Sequence, residues 1–137
     1  MAELKVVVAG AGGRMGAANI RAVAAQAGLS LHAAVDRVGA DAIGQDAGLF
    51  AGIAAQAVTI TDDLDAALVG ADIVIDFTAP QASVALAARV ADLGLVHIIG
   101  TTGCSESDDA AIAQSAKDGA RIVKSGNFSM GMVVLTN

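Results

Sequence analysis

Four glycines, Gly10, Gly12, Gly13 and Gly16, follow the apolar β-branched run Leu4 to Ala9 and open an alanine-rich stretch with helical spacing. Glycine has no Cβ, so a pyrophosphate can approach main-chain amides at such a turn, and the helix start adds positive potential there. The spacing is Gly10-x-x-Gly13-x-x-Gly16 with Gly12 as an extra, whereas the G-x-G-x-x-G fingerprint wants a glycine at Met15. Asp36 closes the next apolar run, LHAAVD, where a carboxylate accepts hydrogen bonds from both hydroxyls of an adenine ribose. The alternative for Asp36 is a solvated turn residue. Arg37 beside it suits a 2′-phosphate, so Asp36 favours NAD while Arg37 keeps NADP open.

Three further corners carry polar groups after apolar runs. In Asp76-Phe77-Thr78 the aromatic either packs on a ribose or nicotinamide face or folds back over the sheet edge, and Thr78 offers a hydroxyl. Asp76 reads as a brace of its own turn. Gly100-Thr101-Thr102-Gly103 surrounds two hydroxyls with glycine, which suits a carboxamide or a small carboxylate. Ser125-Gly126-Asn127-Phe128-Ser129 offers amides and the Asn127 side chain to the nicotinamide end of a cofactor. His97 lies inside a predicted strand and reads as a satisfied core histidine, as does His32. The alternative for Asp76 is a general acid, and for His97 and His32 a catalytic role.

Positioning these corners requires alternating strands and helices. The pattern predicts strands near 4–9, 31–35, 57–60, 73–76, 96–99 and 121–124, and helices over 14–27, 63–69, 80–92 and 106–118. Residues 38–56 carry four glycines and read as loop with a short helical turn. Asp62 is the expected N-cap of the helix after it, Pro80 the first-turn residue of the next, and Ser129 the cap of a last helix starting as the chain stops. The fold class is α/β: a Rossmann-like doubly wound parallel sheet in three αβα layers, with crossovers of the usual right hand. Ligands in such sheets sit at the carboxyl ends of the strands, where these corners fall.

Composition agrees with that class. Of 137 residues 55% are apolar, with three Phe and no Tyr or Trp, which suits helices packed closely on a parallel sheet rather than a β-sandwich. Eight basic against 14 acidic residues leave a net charge of −6, and with no aromatic platform this argues against nucleic acid as a partner. One cysteine, Cys104, excludes an internal disulfide, and two separated histidines give no zinc spacing, so no metal is expected. No charged-then-apolar leader or membrane-length apolar run is present, and a cytoplasmic protein off the membrane is the expectation.

Taken together and in order, VVVAGAGGRMG, VDR, QDAG at 45–48, IDFTAP, HIIGTTG and SGNFSMG resemble the 4-hydroxy-tetrahydrodipicolinate reductase (dihydrodipicolinate reductase) family over essentially the whole chain. The resemblance implies an N-terminal dinucleotide-binding domain, residues 1–128. Residues 129–137 would lead through a hinge helix into a missing C-terminal substrate and tetramerisation domain. It implies NADH or NADPH held by Gly10, Ala11, Gly12, Gly13, Arg14 and Met15, with Asp36 and Arg37 on the adenine ribose. Phe77 and Thr78 would sit beside the nicotinamide ribose, Gly100, Thr101 and Thr102 at the nicotinamide, and Ser125, Gly126, Asn127 and Phe128 along the cofactor wall. Thr102 would also face the substrate, a cyclic dicarboxylate of lysine and diaminopimelate synthesis. The full-length family is homotetrameric.

The family's H-H-x-x-K-x-D-A-P-S-G-T motif is absent, which implies a fragment that binds cofactor with little turnover. Cys104 stands where an aromatic is common and Val133 where Asn is usual. Two alternatives share the glycine turn: a non-catalytic nucleotide- or CoA-binding module, and another two-domain NAD(P)-dependent dehydrogenase.

Overall fold

The computed structural model describes residues 3–119, 121–127 and 130–135, with side chains described as far as residue 123. Strands run β1 Leu4–Ala9, β2 Leu29–Val35, β3 Ile60–Thr61, β4 Ile73–Asp76, β5 Val96–Ile99, β6 Arg121–Asn127 and β7 Met130–Leu135. Helices are α1 Arg14–Ala25, α2 Ala47–Phe50, α3 Leu64–Leu68, α4 Pro80–Leu93 and α5 Glu106–Lys117. The hydrogen-bonded strand order is β3-β2-β1-β4-β5-β6-β7. The chain divides into two compact units, Met1–Val74 and Ile75–Asn137.

In the first unit β1 pairs in parallel with β2, and β2 with β3. Val6, Val7 and Val8 of β1 are fully buried, as expected of a strand covered on both faces. Helix α1 packs on β1 and β2 through Gly16, Ile20 and Val23, a stripe repeating every three to four residues. Asp63, not Asp62, caps α3, accepting from Ala66 N at 3.1 Å while its own amide donates to Thr61 Oγ1 at 3.1 Å. A cap must reach the third helical amide, and only the residue directly before Leu64 does so here. The short turn expected within 38–56 is α2. Its cap Asp46 accepts from Leu49 N and Gln56 N at 3.0 Å and from Val58 N at 3.2 Å. Strand β3 begins later than expected because Ala57 takes φ +57, a left-handed conformation that interrupts extended backbone.

In the second unit β5 and β6 pair in parallel, and α4 packs against α5 and β5. Pro80 occupies the first turn of α4, as expected. Ser83, Leu86, Ala87 and Val90 form the buried stripe of α4. Ser105 and Asp108 close a reciprocal capping box on α5, with Lys117 at the opposite end, both arrangements favoured by the helix dipole.

The chain's last segment departs from expectation. Residues 130–135 form a strand antiparallel to β6, with Lys124 opposite Val133 and Ser125 opposite Met132, rather than a helix. An isolated helix of two turns is marginal, whereas a β-branched run pairs with an edge strand and satisfies its amides. Ser125, Gly126 and Asn127 therefore belong to β6 itself rather than to a corner after it. Phe128 and Ser129 lie outside the described residues.

Candidate functional site

The first unit builds a start for α1 that nothing among the described residues neutralises. Gly10 turns the backbone at φ +82 directly after β1, a conformation L side chains rarely adopt. Its amide and that of Ala11 donate to Val35 O at 2.9 and 3.0 Å. Gly12 N donates to Asp36 Oδ2 at 2.9 Å, and Gly13 N to Gly10 O at 3.1 Å. All four amides of the glycine turn are thus taken. Those of Arg14, Met15 and Gly16, the first of the helix, have no acceptor among the described residues. Gly13 caps α1 without a side chain, and no acid stands in the first turn. The positive end of the helix is left for an anion.

Two glycines of this turn are required by space. A Cβ on Gly16 would collide with the Gly10 carbonyl, so the helix lies directly on the turn. A Cβ on Gly12 would collide with the Asp36 carboxylate. Asp36 Oδ1 accepts from Arg37 N at 2.8 Å, and the Asp36 amide donates to Thr61 O at 3.0 Å. The carboxylate is therefore oriented from both oxygens before any ligand arrives. Arg14, Met15 and Arg37 are exposed, Asp36 is half-buried and Ala11 is fully buried.

The second unit joins two of the predicted corners through a network that sequence reasoning saw only in part. Asp76, fully buried, accepts from Thr78 Oγ1 at 2.6 Å and Thr78 N at 3.1 Å through Oδ1. Its Oδ2 accepts from His97 Nε2 at 2.8 Å. Thr101 Oγ1 lies 2.7 Å from Ser83 Oγ and accepts from Thr78 N at 3.2 Å, and Gly100 N donates to Asp76 O at 2.8 Å. Burial pushes the Asp76 carboxyl up, but the hydrogen bond and attraction of His97, with the Thr78 hydrogen bond, outweigh it and hold the pKa below its ordinary value.

This changes what the corners can offer. Asp76 braces its turn, as expected, and His97 is buried in the core. However, the hydroxyls of Thr78 and Thr101 face inward, and Thr101 is 4% exposed. What remains for a ligand at Gly100–Gly103 is the exposed Thr102 with the amides of Thr101 and Thr102, which have no acceptor among the described residues. Phe77 is half-buried. Ser83 escaped the sequence reading. Its signal was a lone hydroxyl on the Leu86, Ala87, Val90 stripe. His32 is not a core residue: it is partly exposed, with Nε2 2.7 Å from Val69 O. Among the described residues no three metal-ligating side chains cluster, and no helix is long and apolar enough to cross a membrane.

A parallel β-glycine turn-α unit with an oriented acid at the end of β2 defines a Rossmann-like α/β domain, the fold of dinucleotide-dependent oxidoreductases. Residues 4–128 match the family model for dihydrodipicolinate reductase, N-terminus, and the chain belongs to that family. It is 51% identical over 133 residues to the 4-hydroxy-tetrahydrodipicolinate reductase of Allorhizobium ampelinum, covering 97% of this chain and 49% of that one. A dipicolinate-bound dihydrodipicolinate reductase from Paenisporosarcina sp. TG-14 shares the fold at TM-score 0.72 and 19% identity, over 92% of this chain and 48% of that one. GenD2 from gentamicin A biosynthesis, solved with NAD, aligns at TM-score 0.71 and 25% identity over 93% of this chain and 36% of its own. The chain spans about half the length of the curated relatives it matches.

Proposed function

We propose that this chain is the NAD(P)H-binding half of a 4-hydroxy-tetrahydrodipicolinate reductase acting in lysine and diaminopimelate synthesis in the cytoplasm. Residues 1–128 would form the cofactor domain. Residues 129–137 would lead toward a substrate domain that also makes a homotetramer. The observation that carries the cofactor reading is the uncompensated start of α1 beside an acid held by Gly12 N. Because the amides of Gly10 to Gly13 are spent within the chain, the diphosphate would rest on those of Arg14 and Met15. Gly10 to Gly13 then shape the turn, and Ala11, fully buried, packs beneath it.

Asp36 would take the adenine ribose and Arg37 a 2′-phosphate, which together support use of both cofactors. Phe77 and Thr78 would flank the nicotinamide ribose. The corner at Gly100, Thr101 and Thr102 would hold the carboxamide through the Thr101 and Thr102 amides, since Gly100 N already donates to Asp76 O, and Thr102 would also meet the substrate. Ser125, Gly126, Asn127 and Phe128 complete the wall on this reading. When bound, the cofactor supplies a hydride to an unsaturated carbon of a cyclic dicarboxylate. The chain's residues hold and orient it, and proton donation falls to the other half of the full-length protein.

Calorimetric titration with NADH, NADPH and CoA tests the assignment. Saturable binding of either reduced nicotinamide cofactor is expected. Binding of CoA without NAD(P)H would replace it with the nucleotide-module reading.

A further inference from the structure

The His97 ring is fully buried, yet among the described residues its polar contact is a single one. Nε2 donates to Asp76 Oδ2 at 2.8 Å, while Nδ1 is buried with no partner. An unmatched ring nitrogen in a core is costly, so a site needing only volume would be better filled by Leu or Met. The ring's polar contact among the described residues is its hold on the carboxylate.

A carboxylate has two interchangeable oxygens, and pinning one determines where the other points. His97 sits on β5, three residues before Gly100. Its grip on Oδ2 turns Oδ1 toward the Thr78 hydroxyl and amide. Thr78 N also donates to Thr101 Oγ1, and Thr101 meets Ser83 on α4. One closed hydrogen-bonded ladder thus runs from the ring through the end of β4 to the corner after β5. That corner carries the uncommitted amides of Thr101 and Thr102.

We propose that His97 is a positioning residue: by fixing the rotation of the Asp76 carboxylate it aims the Gly100–Gly103 corner at the nicotinamide end of the cofactor. This rests on the cofactor reading above. The chemistry it predicts is selective. Recognition of the nicotinamide end depends on the ring, and recognition of the adenosine diphosphate portion does not.

The test uses the chain itself with NADH and ADP as probes, in wild type, His97→Phe and His97→Gln. His97→Phe is expected to weaken NADH about tenfold, the scale of one lost hydrogen bond to a charged group, while ADP affinity holds within roughly twofold. His97→Gln keeps a donor toward Oδ2 and is expected to recover most of the NADH affinity. In the ligand-free protein, amide exchange at Thr78 and Gly100, which donate within the network, should accelerate in His97→Phe but not His97→Gln, with Val6 to Val8 unchanged. Equal loss of both ligands, or undiminished NADH binding, overturns the role.

Should His97→Phe fail to fold, Ser83→Ala removes one rung at little change in volume, and the same selective or uniform outcome decides. Wild-type protein that binds neither ligand refutes the cofactor reading, and the role of His97 with it. Binding intact in wild type but lost uniformly in the variants refutes only the role.

Discussion

At the scale of single residues, Asp36 and Gly12 act as one unit. The carboxylate receives the Gly12 amide on one oxygen and the Arg37 amide on the other, so its orientation precedes any ribose. Asp36→Ala is expected to weaken NADH more than NADPH, and Arg37→Ala the reverse, each by roughly tenfold, the scale of a charge-assisted hydrogen bond. Equal losses for both cofactors in paired titrations would remove the assignment. Asp36→Asn retains an acceptor for Gly12 N and separates bracing from ribose recognition. Gly16→Ala should destabilise the fold by about 1–3 kcal/mol, the ordinary range for overpacking, read as a lowered denaturant midpoint at unchanged slope. Its Cβ would run into the rigid backbone of both Gly10 and Ala11.

At the scale of elements, the segment from α2 to β3 is organised by Asp46. Hydrogen bonds from the Leu49 and Gln56 amides, with a smaller one from Val58, outweigh desolvation and lower its pKa below the ordinary 3.8. A group whose folded pKa is depressed contributes stability above its unfolded value, and loses it as pH falls through the folded one. Asp76 has the same sign. Thermal melts should therefore be flat in this respect above about pH 5 and fall in acid below the ordinary carboxylate value. Asp46→Asn should lower the melting temperature near neutrality and shrink the acid-dependent drop. A variant whose melts keep the full drop would show that Asp46 does not contribute to it. Ala57, at φ +57, tests the neighbouring strain: Ala57→Gly should gain about 0.5–1 kcal/mol, since the left-handed penalty slightly exceeds the entropy cost of glycine. A loss on chemical denaturation would contradict this.

The elements also show why some features were legible in advance and others were not. Helix α1 announces itself through the helical spacing of Met15, Ile20 and Val23, of which Met15 turns out exposed, and β1 through three consecutive valines, because periodicity and β-branching are local properties. Pro80 marks the start of α4 for an equally local reason. The cap at Asp63 was missed by one position because adjacent acids are chemically alike and only geometry ranks them. The final strand was misread because its pairing with β6, not its own residues, decides between helix and strand.

At the scale of the whole molecule, the chain corresponds to the N-terminal part of a longer family pattern and covers about half of its curated relatives. The expected outcome is cofactor binding with little turnover of the cyclic dicarboxylate. A coupled assay of NADPH oxidation in which the isolated chain approaches a full-length relative's rate would overturn that division of labour. The glycine turn and the two threonine corners fall in different compact units. Each can therefore be probed with its own ligand fragment, ADP for the first and nicotinamide mononucleotide for the second.

The amino-acid order by itself determined that strands alternate with helices, and where glycine, acid and hydroxyl fall relative to them, since those are consequences of spacing and of each residue's own conformational preferences. Only the tertiary structure decided which polar groups remain for a ligand. Val35 and Asp36 take up the amides of Gly10, Ala11 and Gly12, and Asp76, Ser83 and His97 turn Thr78 and Thr101 inward. Apart from the local contact of Asp76 with Thr78, these pairs lie about 18 to 25 residues apart along the chain, and hydrogen bonds select by distance in space, which no local pattern encodes.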